Sequence, residues 1–505
     1  MSGGNGGPDD DRGQLVHRFL EDAAARWPDA AAVRDESGSW TYRELLSASQ
    51  RVASWLRHRG VRQGDRLLVA LPNSRRLVAV IHGALRAGVA VVPVSAQARP
   101  YHLAAVARDA RPGLALGGDP ERFAAAVAAL PGLEVIDPDQ AAREWAVLTP
   151  RDDPAGVSGS DLALLVYTSG STAGPKGVVC PHRQVAFAVE AIAGRLGYLS
   201  EDIVYARLPF SFDYSLYQMF LCAQAGAQLA LASAADEISA FRWLRTFRPT
   251  VLPVVPPYAQ TLLGLAGRSE SGVRPRLITN TGAALTRGVA DSLRSTFPGV
   301  AVVPMYGMTE CKRITIAAPD EDLTKPGTVG TALPGTRVEV VGEDGAPLPP
   351  GRVGEIVVRG PHVMAGYWQQ PAASAERFGS DPATGERILR TGDFGTLDEQ
   401  GAVAFVGRRD DIFKRRGVRT SVGEIEAAAL DIPEVEEAAA ALVGAARECV
   451  LWVRSRLRQE QILKGIADRL EPAKVPDRCV LVDELPRTSS GKIDKKRLGE
   501  GMVTG

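Results

Sequence analysis

A chain of 505 residues exceeds what one hydrophobic core usually covers, so two or more domains are expected. With 45% hydrophobic and 23% charged residues, its composition is that of an ordinary water-soluble globular protein. Lys+Arg and Asp+Glu both number 59, and this balance lacks the basic surplus expected of a nucleic-acid binder.

The chain opens with a Gly- and Asp-rich stretch, Met1 to Arg12, that has no apolar run. It reads as a disordered tail over residues 1–12 rather than a signal or transit peptide. The most membrane-like segment, Leu77 to Val94, is interrupted by His82, Arg86 and Gly88. A buried helix followed by a buried strand accounts for it, and no membrane partner is expected. From Asp65 onward, short apolar runs alternate with helical spacing: Arg66 to Leu71, Val89 to Val94, Leu162 to Tyr167, Thr250 to Val255, Leu277 to Thr279 and Val300 to Met305. That alternation predicts an α/β fold with parallel sheets covered by helices and ligands at the carboxyl ends of strands. Between Val338 and Phe405 short strands and Gly/Pro turns predict a β-rich subdomain. A charged run after Gly407 introduces a small α+β segment, which places the domains at 13–407 and 408–505. Ala427 to Ala429 and Ala438 to Ala441 both read as helix-favouring. The scattered cysteines, Cys180, Cys222, Cys311, Cys449 and Cys479, form no C-x-x-C pair, which fits a reducing, cytoplasmic setting.

The densest chemical signal follows the apolar run Leu162 to Tyr167: Thr168-Ser169-Gly170-Ser171-Thr172-Ala173-Gly174-Pro175-Lys176-Gly177. Glycines let backbone amides turn toward a phosphate, hydroxyls donate further bonds, and a lysine neutralises charge. Pro175 between Gly174 and Lys176 breaks the Walker spacing, which disfavours a P-loop ATPase. A plain surface loop is the alternative for these residues taken alone.

This decapeptide resembles the phosphate-binding signature of the adenylate-forming superfamily, which includes acyl-CoA synthetases and the adenylation domains of peptide synthetases. Further stretches resemble that family in order: Tyr306-Gly307-Met308-Thr309-Glu310, Gly354-Glu355-Ile356 through Gly366-Tyr367, Arg390-Thr391-Gly392-Asp393, Gly407-Arg408-Arg409-Asp410 through Gly417, Glu424-Ile425-Glu426 and Ser490-Gly491-Lys492. The resemblance implies ATP-dependent activation of a carboxylic acid as its acyl-adenylate, then transfer to a thiol. Bringing a carboxylate to an α-phosphate is a problem of charge stabilisation and positioning. Lys176 and the loop residues Thr168, Ser169, Gly170, Ser171, Thr172 and Gly174, with Tyr306 and Gly307, would then bind ATP. Glu310 would help hold Mg²⁺, Thr309 would donate to the α-phosphate, and Asp393 would accept the ribose hydroxyls. Arg408 would support the nucleotide, Lys492 would reach the reacting carboxylate from a mobile C-terminal domain, and Asp410 would be its hinge. Gly417 would let a pantetheine arm pass, although Lys414, Arg415 and Arg416 beside it read equally well as a solvated face.

Projected onto this sequence, the family's acyl pocket comprises Asp213, Tyr214, Tyr217, Val254, Thr279, Thr281, Met305, Lys312, Arg313 and Ile314. Phe212-Asp213-Tyr214-Ser215 resembles the F-D-x-S of amino-acid-activating domains, where the aspartate pairs with the substrate ammonium; a helix cap is the alternative role. Met308 stands where peptide synthetase domains have proline, and Thr281-Gly282-Ala283 replaces their Gly-Gly-Glu. These departures bring the chain nearer to stand-alone β-amino acid adenylating enzymes of macrolactam pathways, which load a discrete acyl carrier protein. Lys312 and Arg313 would suit a second substrate carboxylate, as in 3-methylaspartate, or else face solvent or brace the nucleotide loop. Tyr217 and Met305 would shorten the pocket or simply fill core. The alternative reading is an acyl- or aryl-CoA synthetase using free CoA, in which Asp213 is structural. No carrier segment follows Lys492, so a carrier would be expected as a separate protein.

Overall fold

The computed structural model describes residues 15–151, 156–168, 175–232, 237–266, 272–408, 412–415, 418–444, 448–470, 474–487 and 493–500. Two large sheets organise residues 15–408. The first has seven strands in the order Gly366–Tyr367, Lys176–Pro181, Leu162–Thr168, Ala90–Pro93, Arg66–Ala70, Leu114–Gly117 and Glu134–Ile136. Its interior strands are parallel, and Leu162–Thr168 turns back antiparallel onto Lys176–Pro181. The phosphate-loop motif therefore joins two antiparallel strands, with Thr168 directly opposite Lys176.

In the second sheet, Ile203–Ala206, Val251–Val254, Leu277–Asn280 and Ala301–Tyr306 lie side by side and parallel. Past Ala301–Tyr306 the same sheet continues antiparallel through Thr315–Ile316, Thr328–Ala332, Ala402–Arg408, Arg387–Leu397, Gly354–Arg359 and Arg337–Val341. The β-rich region expected from the Gly/Pro texture is thus fused to the parallel sheet through Ala301–Tyr306, which is shared by both.

Leu77 to Val94 behaves as the sequence suggests. Ser74 caps the helix Arg75–Arg86 by accepting from the Leu77 amide, and the strand Ala90–Pro93 follows. Every residue from Leu77 to Arg86 is buried. Gly83 is required where two helices meet, since a β-carbon there would stand 2.6 Å from the Ser49 carbonyl oxygen. Among the described residues no helix is long and apolar enough to cross a membrane.

Beyond residue 418, the helices Val422–Leu430 and Gln459–Ala467 pack with a three-stranded sheet of Val435–Val443, Glu448–Ser455 and Arg478–Leu481. One expectation fails here. Ala427 to Ala429 is helical, but Ala438 to Ala441 lies in the strand Val435–Val443. Ala438, Ala439 and Ala440 are buried in pairing with Glu448–Ser455, and that tertiary context overrides alanine's helix preference.

Candidate adenylation site

The nucleotide-side residues converge where the two sheets meet. After the strand Ala301–Tyr306 the chain makes a tight turn, in which the Cys311 and Lys312 amides donate to the Met308 carbonyl at 3.1 and 2.6 Å. Glu310 rides on this turn and is buried. Tyr367 Oη donates to Glu310 Oε1 at 2.6 Å, and Arg377 Nη1 lies 3.5 Å from the same oxygen. Tyr367 is held by the pairing of Gly366–Tyr367 with Lys176–Pro181, and Lys176 Nζ sits 5.2 Å from the centre of its ring. Lys176, Tyr367, Arg377 and Glu310 therefore form one continuous cluster.

Asp393, on Arg387–Leu397, faces Arg408 across the ladder, with Arg408 Nε 3.5 Å from Oδ1. Tyr306 Oη donates to its Oδ2 at 2.7 Å. Burial pushes the Asp393 carboxyl above the ordinary aspartate value, while Tyr306, Arg408 and Arg377 pull the other way. Gly307 is needed for packing: a β-carbon there would come within 2.1 Å of the Lys312 carbonyl oxygen. Thr309 occupies the same turn as Glu310. Ser169, Gly170, Ser171, Thr172 and Gly174 lie outside the described residues, as do Asp410, Gly417 and Lys492.

The acyl-side candidates sit at the carboxyl ends of the parallel strands and on the helix Asp213–Ala225. The N-cap of this helix is Phe212, and Asp213 is its first residue, so the capping role does not apply. Asp213 is 6% exposed and Lys312 1%. Their charged atoms, Oδ2 and Nζ, stand 3.6 Å apart, and neither has an oxygen or nitrogen hydrogen-bond partner; the Cys180 thiol lies beside Lys312. Lys312 thus points inward, with Nζ 5.5 Å from the centre of the Tyr217 ring. Burial opposes charge on the Lys312 ammonium, but Cys180, Asp213 and Glu310 overcome it and hold its pKa above the ordinary lysine value. Burial also raises the Cys180 thiol above its ordinary value, against the pull of Lys312.

Arg313, also buried, lies over the Tyr214 ring at 4.6 Å and donates through Nη1 to the Lys312 carbonyl at 2.9 Å. Tyr214 Oη is 2.6 Å from Thr279 Oγ1 and donates to the Thr279 carbonyl at 2.8 Å. Thr281 is buried one residue past the strand Leu277–Asn280. Tyr214, Tyr217 and Met305 share one apolar cluster, whereas Val254 and Ile314 pack into two others. The solvent-facing alternative for Lys312 and Arg313 is therefore removed, and the Val254 backbone lies beside Tyr214.

Comparison with known sequences decides the family. A profile described as AMP-binding enzyme matches residues 20–368, and one described as AMP-binding enzyme C-terminal domain matches 424–492. The chain belongs to the AMP-binding enzyme family. This AMP-binding enzyme is an AMP-forming acid–thiol ligase that makes acyl-adenylates from ATP. It is 29% identical over 501 residues to the L-proline–[L-prolyl-carrier protein] ligase of Pseudomonas fluorescens, covering 95% of this chain and 98% of that one. It is 33% identical to the AMB antimetabolite synthetase AmbB of Pseudomonas aeruginosa, where 97% of this chain spans only 39% of the relative. Among solved structures, ATP-bound MatB from Rhodopseudomonas palustris superposes with TM-score 0.87 at 27% identity, covering 97% and 99% of the two chains. VinN superposes with TM-score 0.72 at 43% identity, covering 78% of this chain and 98% of VinN. VinN has also been solved with L-aspartate and with 3-methylaspartate.

Three residues of this AMP-binding enzyme's site escaped the sequence reading as individual contributors. Tyr367 was visible only as the end of a family-like stretch, and Arg377 and Cys180 carry no local signal. All three reach the site through strand pairing or helix placement between segments far apart in the chain.

Proposed function

We propose that this ligase activates an acidic β-amino acid, of the aspartate or 3-methylaspartate type, and passes it to the phosphopantetheine thiol of a discrete acyl carrier protein. The observation that carries the reading is the buried juxtaposition of one carboxylate, Asp213, with two cations, Lys312 and Arg313, in the acyl-side cluster. Buried charges persist only when paired, so a substrate offering an ammonium and a second carboxylate is the ligand that suits all of them. Arg313, held over the Tyr214 ring, offers a guanidinium fork for that carboxylate. The aspartate and 3-methylaspartate complexes of VinN, together with the carrier-protein ligase among the relatives, support the same substrate class and acceptor.

In this reading Asp213 binds the ammonium, and the free carboxyl is directed toward the α-phosphate beside Thr309. Lys176 neutralises phosphate charge, and Asp393, oriented by Tyr306 and Arg408, accepts the ribose hydroxyls. Mg²⁺ suits this arrangement, because Glu310 presents a single oriented carboxylate and Mg²⁺ characteristically takes its other ligands from phosphate and water. When bound, the ion would neutralise charge on the leaving pyrophosphate. Lys492 closes the reacting carboxylate, residues 408–505 form the moving domain and Asp410 is its pivot.

The test is mass spectrometry of products formed from ATP and 3-methylaspartate, with a phosphopantetheine-bearing carrier protein and CoA offered in parallel. Aminoacyl carrier formed by the parent and lost in both Asp213→Ala and Arg313→Ala is the expected result. Acyl-CoA formation from acids without an amino group, undiminished in Asp213→Ala, would make the CoA synthetase the better account.

A further inference from the structure

Asp213 and Lys312 differ from the charge pairs that hold this fold together. Asp202, equally buried, has its oxygens saturated: Arg276 Nε donates at 2.8 Å, Thr250 Oγ1 at 2.7 Å and the Leu199 amide at 2.8 Å. Asp213 Oδ2 and Lys312 Nζ share one 3.6 Å contact, longer than a charge-assisted hydrogen bond; no oxygen or nitrogen partner satisfies either atom, and the Cys180 thiol beside Lys312 is only a weak acceptor. Tyr217 Oη, buried beside them, is also without a hydrogen-bond partner. Three buried polar atoms in one cluster with unused bonding capacity are costly for a resting fold.

The backbone supports this placement at a further cost. Lys312 has φ of 66°, a left-handed conformation unfavourable for a residue with a β-carbon. It is held there by the turn onto Met308, by the Arg313 bond to its carbonyl and by the close approach of Gly307. The fold thus spends strain to keep the ammonium against Asp213.

We infer that the Asp213–Lys312 pair is a resident stand-in for the substrate's own two charges, and that the pocket selects by exchanging partners. The substrate ammonium replaces Lys312 beside Asp213, and the second carboxylate replaces Asp213 beside Lys312. This deepens the amino-diacid reading proposed above and rests on it. The exchange makes selection a matter of both charges together. An amino acid lacking the second carboxylate takes Asp213 and strands Lys312; a diacid lacking the ammonium takes Lys312 and strands Asp213. Each leaves a buried charge unpaired, so discrimination on the order of 10³-fold or more in kcat/KM against either is expected. Tyr217, facing the ammonium with its ring, stabilises Lys312 while the partners change.

The experiment is acid-dependent pyrophosphate exchange with aspartate, β-alanine and succinate. The parent is compared with Lys312→Met, Asp213→Asn and the double variant, and each full-length protein is also melted without substrate. Lys312→Met should raise β-alanine at least about tenfold relative to aspartate, and Asp213→Asn should raise succinate likewise, because each removes the group that the poorer acid strands. In the melts, each single variant should unfold a few degrees below the double variant, which removes both members of the pair and strands neither. Single variants that keep the parent's order of preference among the three acids, or that melt no lower than the double variant, would overturn the inference. Should the parent exchange with none of the three, the amino-diacid reading fails, and the melts still decide whether the pair exists.

Discussion

The two halves of the site are built on opposite plans. On the nucleotide side the two carboxylates Glu310 and Asp393 already have oriented donors, Tyr367 and Tyr306 respectively. On the acyl side Asp213 and Lys312 touch at 3.6 Å without a hydrogen bond between them, Lys312 faces the Tyr217 ring, and Arg313 lies over Tyr214 with one bond to a backbone carbonyl. The difference follows the tasks. ATP is the same ligand in every member of the family, so its receptor can be finished in advance and gain from preorganisation. The acid differs between members, and a pocket with unused bonding capacity is where selectivity can be set.

The largest effect that sharpens this contrast should come from the finished half. Glu310→Ala should lower pyrophosphate exchange by about 10²–10³-fold with every acid tested, because what it removes is common to all of them. A loss confined to one acid would break the division. Acid should act next, on the fold as a whole rather than on either half of the site. Burial drives the pKa of His17 and His82 down to about 3 and that of His182 down to about 4, from an ordinary value of 6.5. His82 packs edge-on against Phe220 of the Asp213–Ala225 helix, at 5.8 Å between ring centres. These groups stay neutral when folded but bind protons when unfolded, so stability is complete above about pH 6.5 and falls as pH drops toward 4. The slope is about 1.4 kcal/mol per pH unit for each histidine. Denaturant titrations between pH 7.5 and 4.5 check this, and a pH-independent midpoint would contradict it. The smallest effect is expected from Tyr367→Phe. It deletes one bond to an already anchored carboxylate and should cost about tenfold in exchange, equally for all acids.

Much of the nucleotide side was legible because its residues lie in short contiguous stretches whose chemistry depends on local spacing. Tyr306 to Glu310 and Arg390 to Asp393 could be read as units, and the structure brings them together. The acyl side was legible as a set of residues, not as a geometry. Asp213 and Lys312 were assigned to opposite ends of a substrate. Their mutual contact depends on how a helix packs beside a turn that follows a strand three places away in the sheet, and on a left-handed residue whose side chain, lysine, advertises nothing of the kind. Arg377 was missed for a similar reason: it reaches Glu310 from a helix, Pro371–Arg377, with no motif of its own. The one error of element type, the alanine run at Ala438 to Ala441, came from trusting local preference where sheet pairing decides.

The most direct test of the central claim, that paired charges in the acyl pocket select an acidic β-amino acid, is ATP–pyrophosphate exchange by the parent enzyme. The panel holds 3-methylaspartate, aspartate, β-alanine, succinate, α-amino acids with apolar side chains, benzoates and fatty acids. Strong exchange confined to the amino diacids is the predicted result. Strong exchange with benzoates or fatty acids, retained when Asp213 is replaced by alanine, would contradict it.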